Sequence, residues 1–335
     1  MVDEYGADAL KFTIAFLAAQ GQDILMNKES FKLGSKFANK IWNASRFLLM
    51  NLEGRELVPA DKLERDEVDR WILSRLNEAV KAARSSLEQY RFYDAAQAVY
   101  EFFWNEFCDW YIEASKLKLD DRKASLLLSI LEEALRLLHP LLPFVTEEIY
   151  QKLPGHSLSI MTAPYPEVRE ERADLKAEER FARVQELVRA VRTLRSEFTI
   201  PIDRTIRLAV AVEEGFPAAA ALHDHRDLIA LLVNAGELTI GGRGIPKEGA
   251  IPVMGTGFEA FVYIRELIDL DKETARLKKE LAGLEEVRSR TEAKLANQAF
   301  LAKAPEAVVV KEREKLEELA RRREKIEEYL RELQP

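Results

Sequence analysis

Two C-terminal stretches decide the architecture: residues 269–300 read DLDKETARLKKELAGLEEVRSRTEAKLANQAF, and residues 301–335 read LAKAPEAVVVKEREKLEELARRREKIEEYLRELQP. Apolar residues recur along both at heptad steps of three, four and seven. They are Leu270, Leu277, Leu281, Leu284 and Leu295, then Leu316, Leu319, Ile326, Leu330 and Leu333. Phe300 and Pro305 interrupt the pattern between the two runs. Because a short connector makes neighbouring helices antiparallel, residues 269–335 are predicted to form an antiparallel coiled-coil hairpin.

The charges of the arm and two arginines in its hydrophobic seam limit how it can bind and how well it can pack. It carries 16 Lys+Arg and 16 Asp+Glu, so it cannot act as a uniformly basic clamp. If it holds a polyanion, a segregated basic face or the tip must do so. Arg288 and Arg323 fall on seam positions, where we expect an interrupted and more mobile core.

Upstream of the arm, the hydrophobic pattern predicts a mainly α protein. Apolar residues at helical spacing over 31–52, 66–89, 91–118 and 126–138 predict an up-and-down helical bundle over 31–154, preceded by residues 1–30. Residues 155–268 begin with a proline-punctuated connector and a helix over 178–197. Extended patterns at 204–212, 237–240, 250–254 and 259–264, with a helix over 222–233, then predict a small α+β module.

Composition excludes several classes of protein. No stretch approaches the roughly 20 consecutive apolar residues that a membrane span needs. The net charge of −8 does not by itself identify or exclude a nucleic-acid partner, because binding depends on local patches of charge. A single cysteine, Cys108, excludes an internal disulfide framework and a zinc cluster built on several thiolates. Its apolar surroundings predict a buried core thiol and fit a reducing, cytoplasmic setting.

Residues 37–47, FANKIWNASRF, form an unusual helical pattern. Asn39 and Asn43 are four residues apart, as are Asn43 and Phe47, so one face carries two carboxamides and an aromatic ring. Such a face can hydrogen-bond base edges and stack an unpaired base of RNA. On the residues alone, a helix interface joined by asparagine hydrogen bonds is the favoured alternative.

Other patterns favour structural interpretations. The aromatic density at 100–111 is typical of a bundle core rather than of an RNA-stacking surface. Residues 34–36 (GSK) and the loop Gly241, Gly242, Gly244 lack the context of a phosphate cradle. His223 and His225 lack supporting cysteines, so no metal site is predicted. The sequence offers no histidine–base–acid set, no paired carboxylates in a pocket-like context and no nucleotide-binding fingerprint. We therefore predict that this chain has no catalytic residues.

Several motifs resemble a known family. Residues 2–12, VDEYGADALKF, resemble the segment that follows the KMSKS loop in class I aminoacyl-tRNA synthetases for valine, isoleucine and leucine. Residues 37–47 resemble that group's anticodon-domain signature. Residues 91–96 (RFYDAA), 100–111 (YEFFWNEFCDWY) and 300–306 (FLAKAPE) resemble the valyl-tRNA synthetase family. The isoleucine enzyme commonly carries a cysteine-rich zinc module and the leucine enzyme lacks the coiled-coil ending, so the valine family remains.

The resemblance implies a function for the whole enzyme and a smaller one for this chain. The whole enzyme would join valine to tRNA(Val) with ATP and Mg²⁺. Neither the HIGH nor the KMSKS string occurs here, so we expect a monomeric, cytoplasmic part that binds tRNA(Val), uses no cofactor itself and is inactive alone. Residues 1–30 would link it to a catalytic domain, and Met1 reads as an engineered boundary.

The resemblance also implies site residues. In the bundle, the anticodon loop would meet Asn39, Asn43, Arg46 and Phe47, with Lys36 and Lys40 contacting phosphates. On the arm, the tRNA corner would meet Lys294, Lys303, Lys311, Arg313, Arg321, Arg322 and Arg323. An alternative function is a helical protein-interaction scaffold whose hairpin docks a partner helix; apolar residues outside the seam would support it.

Overall fold

The computed structural model describes residues 1–18, 26–59, 62–213, 215–242, 244, 246, 248–265 and 267–333, without the side chains of residues 217, 218, 299, 301 and 303. Contacts within the chain define two units, Met1–Ala182 and Arg183–Pro335. The mainly α fold predicted from the sequence is confirmed. The finer division at residues 30, 154 and 268 stays a prediction.

The first unit is a helical bundle. Its α-helices are α1 (Val2–Tyr5), α2 (Ala7–Leu17), α3 (Phe31–Leu52), α4 (Glu67–Glu88), α5 (Phe92–Tyr100), α6 (Glu113–Ser115), α7 (Asp121–Leu138), α8 (Pro143–Tyr150) and the start of α9 (Leu175–Glu197). A π-helix, Glu101–Ile112, joins α5 to α6, and 3-10 turns lie at Lys28–Ser30, Ile160–Thr162 and Glu170–Arg172. The helices predicted over 31–52 and 66–89 are confirmed to within one residue.

The aromatic residues of the π-helix form the centre of the bundle, which confirms the core interpretation of 100–111. Phe103 and Phe107 are fully buried, and Cys108 lies beside them as a buried free thiol. Hydrogen bonds from i to i+5 widen the helical turn, so residues five apart lie over one another. Phe102 and Phe107 show this directly, because their rings are stacked with centroids 6.3 Å apart. Helical periodicity alone did not indicate this wider turn.

Two groups of charged side chains inside the bundle are paired, although the hydroxyls of Thr13 and Ser45 are buried without a hydrogen-bond partner among the described residues. Asp69 belongs to the capping box that begins α4, and its carboxylate accepts hydrogen bonds from the Tyr111 hydroxyl at 2.7 Å and from Lys123. Arg172, on the connector, makes a bidentate pair with Glu133 of α7 at 2.9 and 3.0 Å. Because an unpaired charge buried in this way would cost several kcal/mol, these partners restrict the helices to one arrangement.

Two further contacts place α2 and α8 against α3. The carboxylate of Asp8 in α2 accepts the backbone N–H groups of Phe144 and Val145, at 3.1 and 2.7 Å. These are donors that the first turn of α8 leaves without intrahelical partners. Gly34 lies where α3 crosses α2, and a β-carbon there would lie only 2.3 Å from the carbonyl oxygen of Ala9. A close helix crossing therefore explains Gly34, which the sequence left unexplained.

The second unit, Arg183–Pro335, contains the α+β module. Its sheet has the order β2-β1-β4-β3, with β1 (Ile206–Val212), β2 (Ala235–Gly241), β3 (Ala250–Gly255) and β4 (Phe258–Tyr263). β1 and β2 are parallel, and α10 (Pro217–Asp224) and α11 (Arg226–Val233) form the crossover that such a pair requires. The predicted strands are confirmed, whereas the single helix predicted over 222–233 is two helices that meet at His225.

Arg195 connects α9 to this module. Its guanidinium donates to the backbone carbonyls of Val233, Pro201, Ile202 and Arg204 at distances between 2.5 and 3.1 Å. Val233 is the last residue of α11, where a cation interacts favourably with the helix dipole. Burial lowers the pKa of Arg195, and the carbonyls replace the water that it has lost.

The hairpin predicted at the C-terminus is confirmed. It consists of α12 (Leu270–Ala296), α13 (Gln298–Lys303) and α14 (Glu306–Glu332). Ion pairs show that α12 and α14 are antiparallel, since Lys294 pairs with Glu312 and Glu280 pairs with Arg322. Both seam arginines are paired: Arg288 with Glu285 and Glu292 of its own helix, and Arg323 across the seam with Glu285.

Candidate nucleic-acid interface

Four of the predicted anticodon-binding residues lie in one exposed row along α3. Lys36, Asn39, Asn43 and Arg46 follow at steps of three, four and three residues, and all are exposed in the first unit. Met50, which is 70% exposed, continues this row by one more turn. Its spacing of four from Arg46 was the signal in the sequence that we missed.

The opposite side of α3 explains why the row faces solvent. Phe37, Ile41 and Leu48 are buried at the same helical spacing, and Phe37 packs against the rings of Phe12 and Tyr100 with centroids 4.7 and 4.8 Å away. A helix with one apolar stripe turns that stripe to the core and its polar residues outward. The row from Lys36 to Met50 is the polar side of α3, which therefore faces the solvent.

The two asparagines carry unused hydrogen-bonding groups. Within the described residues, neither the Asn39 nor the Asn43 carboxamide makes a hydrogen bond, so a helix interface joined by these groups is not seen in the first unit. A carboxamide offers two N–H donors and an acceptor oxygen, so it can hydrogen-bond the donors and acceptors on the edges of RNA bases. Their role in RNA binding stays a prediction.

Lys40 has a different environment from its neighbours. Its ammonium group donates to Asp109 at 2.7 Å and lies 5.3 Å from the centre of the Trp104 ring. Burial alone would lower the pKa of Lys40, but the hydrogen bond to Asp109 raises the pKa above its ordinary value. Contact with a phosphate would require Lys40 to leave Asp109, whereas exposed Lys36 makes no ion pair within the described residues.

Two aromatic rings lie near the row, and they differ in accessibility. Phe47 is half-buried, with the ammonium group of Lys116 5.4 Å from its ring centre. Trp42 is 37% exposed and lies three residues after Asn39 and four before Arg46, next to the row. One cation, Lys152, lies 5.7 Å from its ring centre. Trp42 is therefore the more accessible stacking group, although the residues predicted from the sequence did not include it.

The predicted corner-binding residues of the arm separate into two classes. Lys311, Arg313 and Arg321 are exposed and have no ion-pair partner among the described residues. By contrast, three others are paired: Lys294 with Glu312, Arg322 with Glu280 and Glu197, and Arg323 with Glu285 and Glu327. The side chain of Lys303 lies outside the described residues. Of the six whose side chains are described, three therefore have no ion pair within the described residues, and the role of all seven at the tRNA corner stays a prediction.

The corner-binding residues predicted from the sequence did not include a group of lysines on α12. Lys272, Lys278 and Lys279 are exposed, and none has an ion-pair partner in the described part of the chain. Lys272 and Lys279 are seven residues apart, which places them on one side of the helix, away from buried Leu277. Both helices also carry exposed acidic residues: Asp271, Glu285, Glu286 and Glu292 on α12, and Glu314, Glu317, Glu318, Glu324 and Glu328 on α14. The spacing of seven residues between Lys272 and Lys279 was the sequence signal that could have indicated this group.

The described residues show neither a metal cluster nor a membrane-spanning helix. No group of three or more His, Cys, Asp or Glu side chains is arranged there to hold a metal ion. Among the same residues, no helix is both long and apolar enough to cross a bilayer. The described cavities are small: one of about 380 Å³ lies beside Tyr5, Asp8 and Phe144, and one of about 190 Å³ lies between Arg207 and Tyr263.

Comparison with known families identifies two segments. Residues 69–210 match the family described as the anticodon-binding domain of tRNA ligase, and residues 269–334 match the valyl tRNA synthetase tRNA binding arm. The first segment covers most of the bundle and extends into β1, and the second is the hairpin. The row on α3 lies before the first match.

Three curated relatives are similar along the chain. Valine–tRNA ligase of Treponema denticola is 46% identical over 98% of the chain, that of Thermotoga maritima 42% over 100%, and that of Geobacillus stearothermophilus 39% over 99%. The chain spans 38%, 38% and 39% of their respective lengths. The solved LeuRS–tRNA–LeuAMS ternary complex from Agrobacterium radiobacter is 22% identical and covers 52% of this chain and 21% of that chain. Its TM-score is 0.44, too low to support a conclusion.

Proposed function

Because the chain belongs to the valyl-tRNA synthetase family, we propose that it binds tRNA(Val), reading the anticodon with its bundle and holding the tRNA corner with its arm. The relatives are valine–tRNA ligases, and the corresponding whole enzyme joins valine to tRNA(Val) with ATP and Mg²⁺. The chain alone acts as a monomeric tRNA-binding part in the cytoplasm. It binds no ATP and does not aminoacylate.

One observation carries the anticodon proposal: the exposed row on α3 combines cations with carboxamides that have no hydrogen-bond partner among the described residues, and an accessible ring lies beside it. Asn39 and Asn43 offer hydrogen bonds to base edges, and Arg46 offers a planar guanidinium. Trp42 supplies a stacking face beside them. Single-stranded loops are read by this combination of stacking and edge hydrogen bonding.

The proposed contacts of the arm follow from which cations are unpaired. Six exposed cations have no ion pair among the described residues, so they contact phosphates without first losing one. They are Lys272, Lys278 and Lys279 on α12, and Lys311, Arg313 and Arg321 on α14. Lys294, Arg322 and Arg323 already bind carboxylates, so phosphate contact there would replace an existing interaction. Such contacts give affinity and position without reading sequence.

A filter-binding assay at low salt tests the proposal. The full chain should prefer tRNA(Val) over a mixed tRNA pool, and the double variant Asn39→Ala/Asn43→Ala should lose most of that preference. Asn105→Ala is a matched control, because Asn105 is an exposed carboxamide on the π-helix, outside the row. Equal binding of both RNA samples by the wild-type chain would refute anticodon reading.

The absence of catalysis is tested separately. We expect no valine-dependent exchange of pyrophosphate into ATP by the chain, because the residues that would bind ATP in the whole enzyme belong to signatures that do not occur here. A full-length valine–tRNA ligase serves as the positive control. Exchange that persists through purification and depends on valine would show that the chain holds an active site.

A further inference from the structure

One carboxylate, that of Glu197, receives three donors at the base of the arm. Arg322 donates to Glu197 Oε1 at 2.9 Å and Lys325 donates to the same oxygen at 3.0 Å. The hydroxyl of Tyr329 donates to Oε2. All three donors lie within eight residues of α14, whereas Glu197 is the last residue of α9. The base of α14 is therefore attached to the end of α9 through one side chain.

The same residue also holds α12, through a closed ring of interactions. Arg322 donates to Glu280 Oε1 at 2.7 and 3.0 Å, and Arg276 donates to Glu280 Oε2 at 3.1 Å. Arg276 then donates to the backbone carbonyl oxygen of Glu197 at 2.8 Å. Within this ring each arginine bridges two acceptors, which its planar fork allows and a lysine ammonium group would not match. Arg276 also donates to the carboxylate of Glu273 on its own helix. The ring joins α9, α12 and α14.

The backbone around Glu197 is held in an unusual conformation. Thr199 has a φ of 52°, in the left-handed region that a β-branched residue rarely adopts. The N–H of Ile200 closes this turn onto the carbonyl of Arg195 at 2.8 Å. Between them, the ring of Phe198 packs on that of Tyr329 with centroids 4.9 Å apart. The strained turn at Thr199 and the packing of Phe198 on Tyr329 therefore fix the backbone that follows Glu197.

The surroundings of Glu197 make a direct contact with RNA unfavourable. Its side chain is only 17% exposed, and its charge would repel a phosphate. Burial alone would raise the pKa of Glu197, but the hydrogen bonds from Tyr329 and Lys325 hold the pKa below its ordinary value. At neutral pH the carboxylate is therefore ionised and fully engaged with the arm.

We propose that Glu197 is the positioning residue of the arm: with Arg322, Glu280 and Arg276 it sets the direction in which α12 and α14 leave the module, and RNA binding depends on it indirectly. This inference rests on the proposed function, because it assigns the arm to tRNA. It also gives Arg322 a different role from the other candidate cations, since its guanidinium holds the arm rather than a phosphate.

The variants Glu197→Gln, Arg322→Lys and Arg322→Gln test this role in the full chain. Glu197→Gln keeps the size of the side chain and removes its charge, and Glu317→Gln is the control, because Glu317 is exposed on α14 without an ion-pair partner among the described residues. The tRNA dissociation constant is measured at several salt concentrations, and hydrogen exchange is measured over residues 270–285 and 320–333. Circular dichroism verifies that each variant is folded.

We expect Glu197→Gln to weaken tRNA binding on the order of fivefold, because a loosened arm must be ordered on binding. The slope of log affinity against log salt should not change, and exchange at the base of the arm should rise. Arg322→Lys should weaken binding as much as Arg322→Gln does, because charge alone cannot bridge two carboxylates. The double variant Glu197→Gln/Arg322→Gln should be no weaker than the worse single variant.

Three results would overturn the inference while leaving tRNA binding intact. These are unchanged affinity in Glu197→Gln, full retention of affinity in Arg322→Lys, or a salt slope that falls by about 0.9 in Arg322→Gln, as loss of one phosphate contact would give. Absence of tRNA binding by the wild-type chain would instead refute the proposed function, and the inference with it.

Discussion

Two candidate cations, Lys40 and Arg322, show how a neighbouring residue decides the role of a charged side chain. Both are basic residues in segments that we assign to RNA binding, and both donate to a carboxylate at 2.7 to 3.0 Å. Lys36 and Lys311 have equivalent charges but no such partner in the described residues. A side chain that must first break an ion pair gains less from a phosphate.

Gly34 provides a prediction about stability. In Gly34→Ala the new β-carbon would meet the Ala9 carbonyl oxygen at 2.3 Å and Thr13 Oγ1 at 2.6 Å, and backbone cannot move aside cheaply. We expect the free energy of unfolding to fall by about 1–3 kcal/mol, as overpacking usually costs. The midpoint of urea unfolding measures this change.

Gly283→Ala is the matched control for that variant. Gly283 is a mid-helix glycine of α12, and among the described residues no atom outside its own stretch of helix backbone lies within 4 Å of the position that an alanine β-carbon would take. Alanine should therefore stabilise the helix by about 0.5–1 kcal/mol. Equal effects of the two substitutions would contradict the proposed close crossing of α2 and α3.

Cys108 provides a prediction about pH. Burial raises the pKa of its thiol to about 12, so the reactive thiolate is scarce in the folded chain. We expect iodoacetamide at pH 8 to leave the native protein unlabelled and to label it once in denaturant, as counted by mass spectrometry. The thiol has a higher pKa in the folded chain than in the unfolded chain, so its deprotonation destabilises the fold. The stability that the protonated thiol contributes is fully present below about pH 9 and is lost as the pH rises toward 12. Rapid labelling of the native chain would show that the thiol is accessible.

The two long helices of the arm differ in their outer surfaces, although the arm as a whole is neutral. Both helices carry exposed carboxylates, but α12 groups Lys272, Lys278 and Lys279 within eight residues, without ion pairs in the described residues, whereas Lys311, Arg313 and Arg321 of α14 are spread over eleven residues that include exposed glutamates. Because screening limits surface electrostatics to about 8–10 Å, the local arrangement of charge matters more than the total. α12 is therefore the helix better suited to phosphates.

This difference predicts the salt dependence of the arm. Replacing Lys272, Lys278 and Lys279 together with glutamine should weaken tRNA binding and reduce the slope of log affinity against log salt by up to about 3, roughly 0.9 for each lost phosphate contact. Selectivity for tRNA(Val) should persist, because phosphate contacts do not read sequence. Titrations at several salt concentrations measure both quantities.

Replacing Lys311, Arg313 and Arg321 with glutamine removes the same charge from α14 and serves as the comparison. A larger loss of slope in this second variant would contradict the preference for α12.

The charge of the whole molecule is distributed unevenly. Residues 269–335 are neutral and residues 1–268 carry the entire net charge of −8. Long-range attraction of RNA to the whole chain is therefore weak, and affinity must come from local surfaces. The proposed function assigns one such surface to each of the two units, so it predicts that tRNA binding depends on two linked sites in one molecule.

Removal of residues 269–335 tests that dependence. The bundle has its own buried core within Met1–Ala182, so the shortened chain should keep the helical signal of that unit and the unfolding midpoint of the bundle. Its affinity for tRNA should fall at least about tenfold, since one of two linked sites is lost. Circular dichroism and filter binding give the two readouts. Unchanged affinity would exclude a role for the arm, and loss of the bundle signal would contradict its independence.

The sequence alone determined the features that depend on local periodicity. Heptad leucines predicted the hairpin, and the apolar stripe of α3 predicted which side of that helix is polar, because each follows from spacing along one helix. The tertiary structure alone decided what depends on residues distant in the chain. It brought Glu197 to Arg322, Asp109 to Lys40 and Ala9 to Gly34. Whether a cation is paired, or a glycine required, depends on helix crossings that spacing within one helix does not contain.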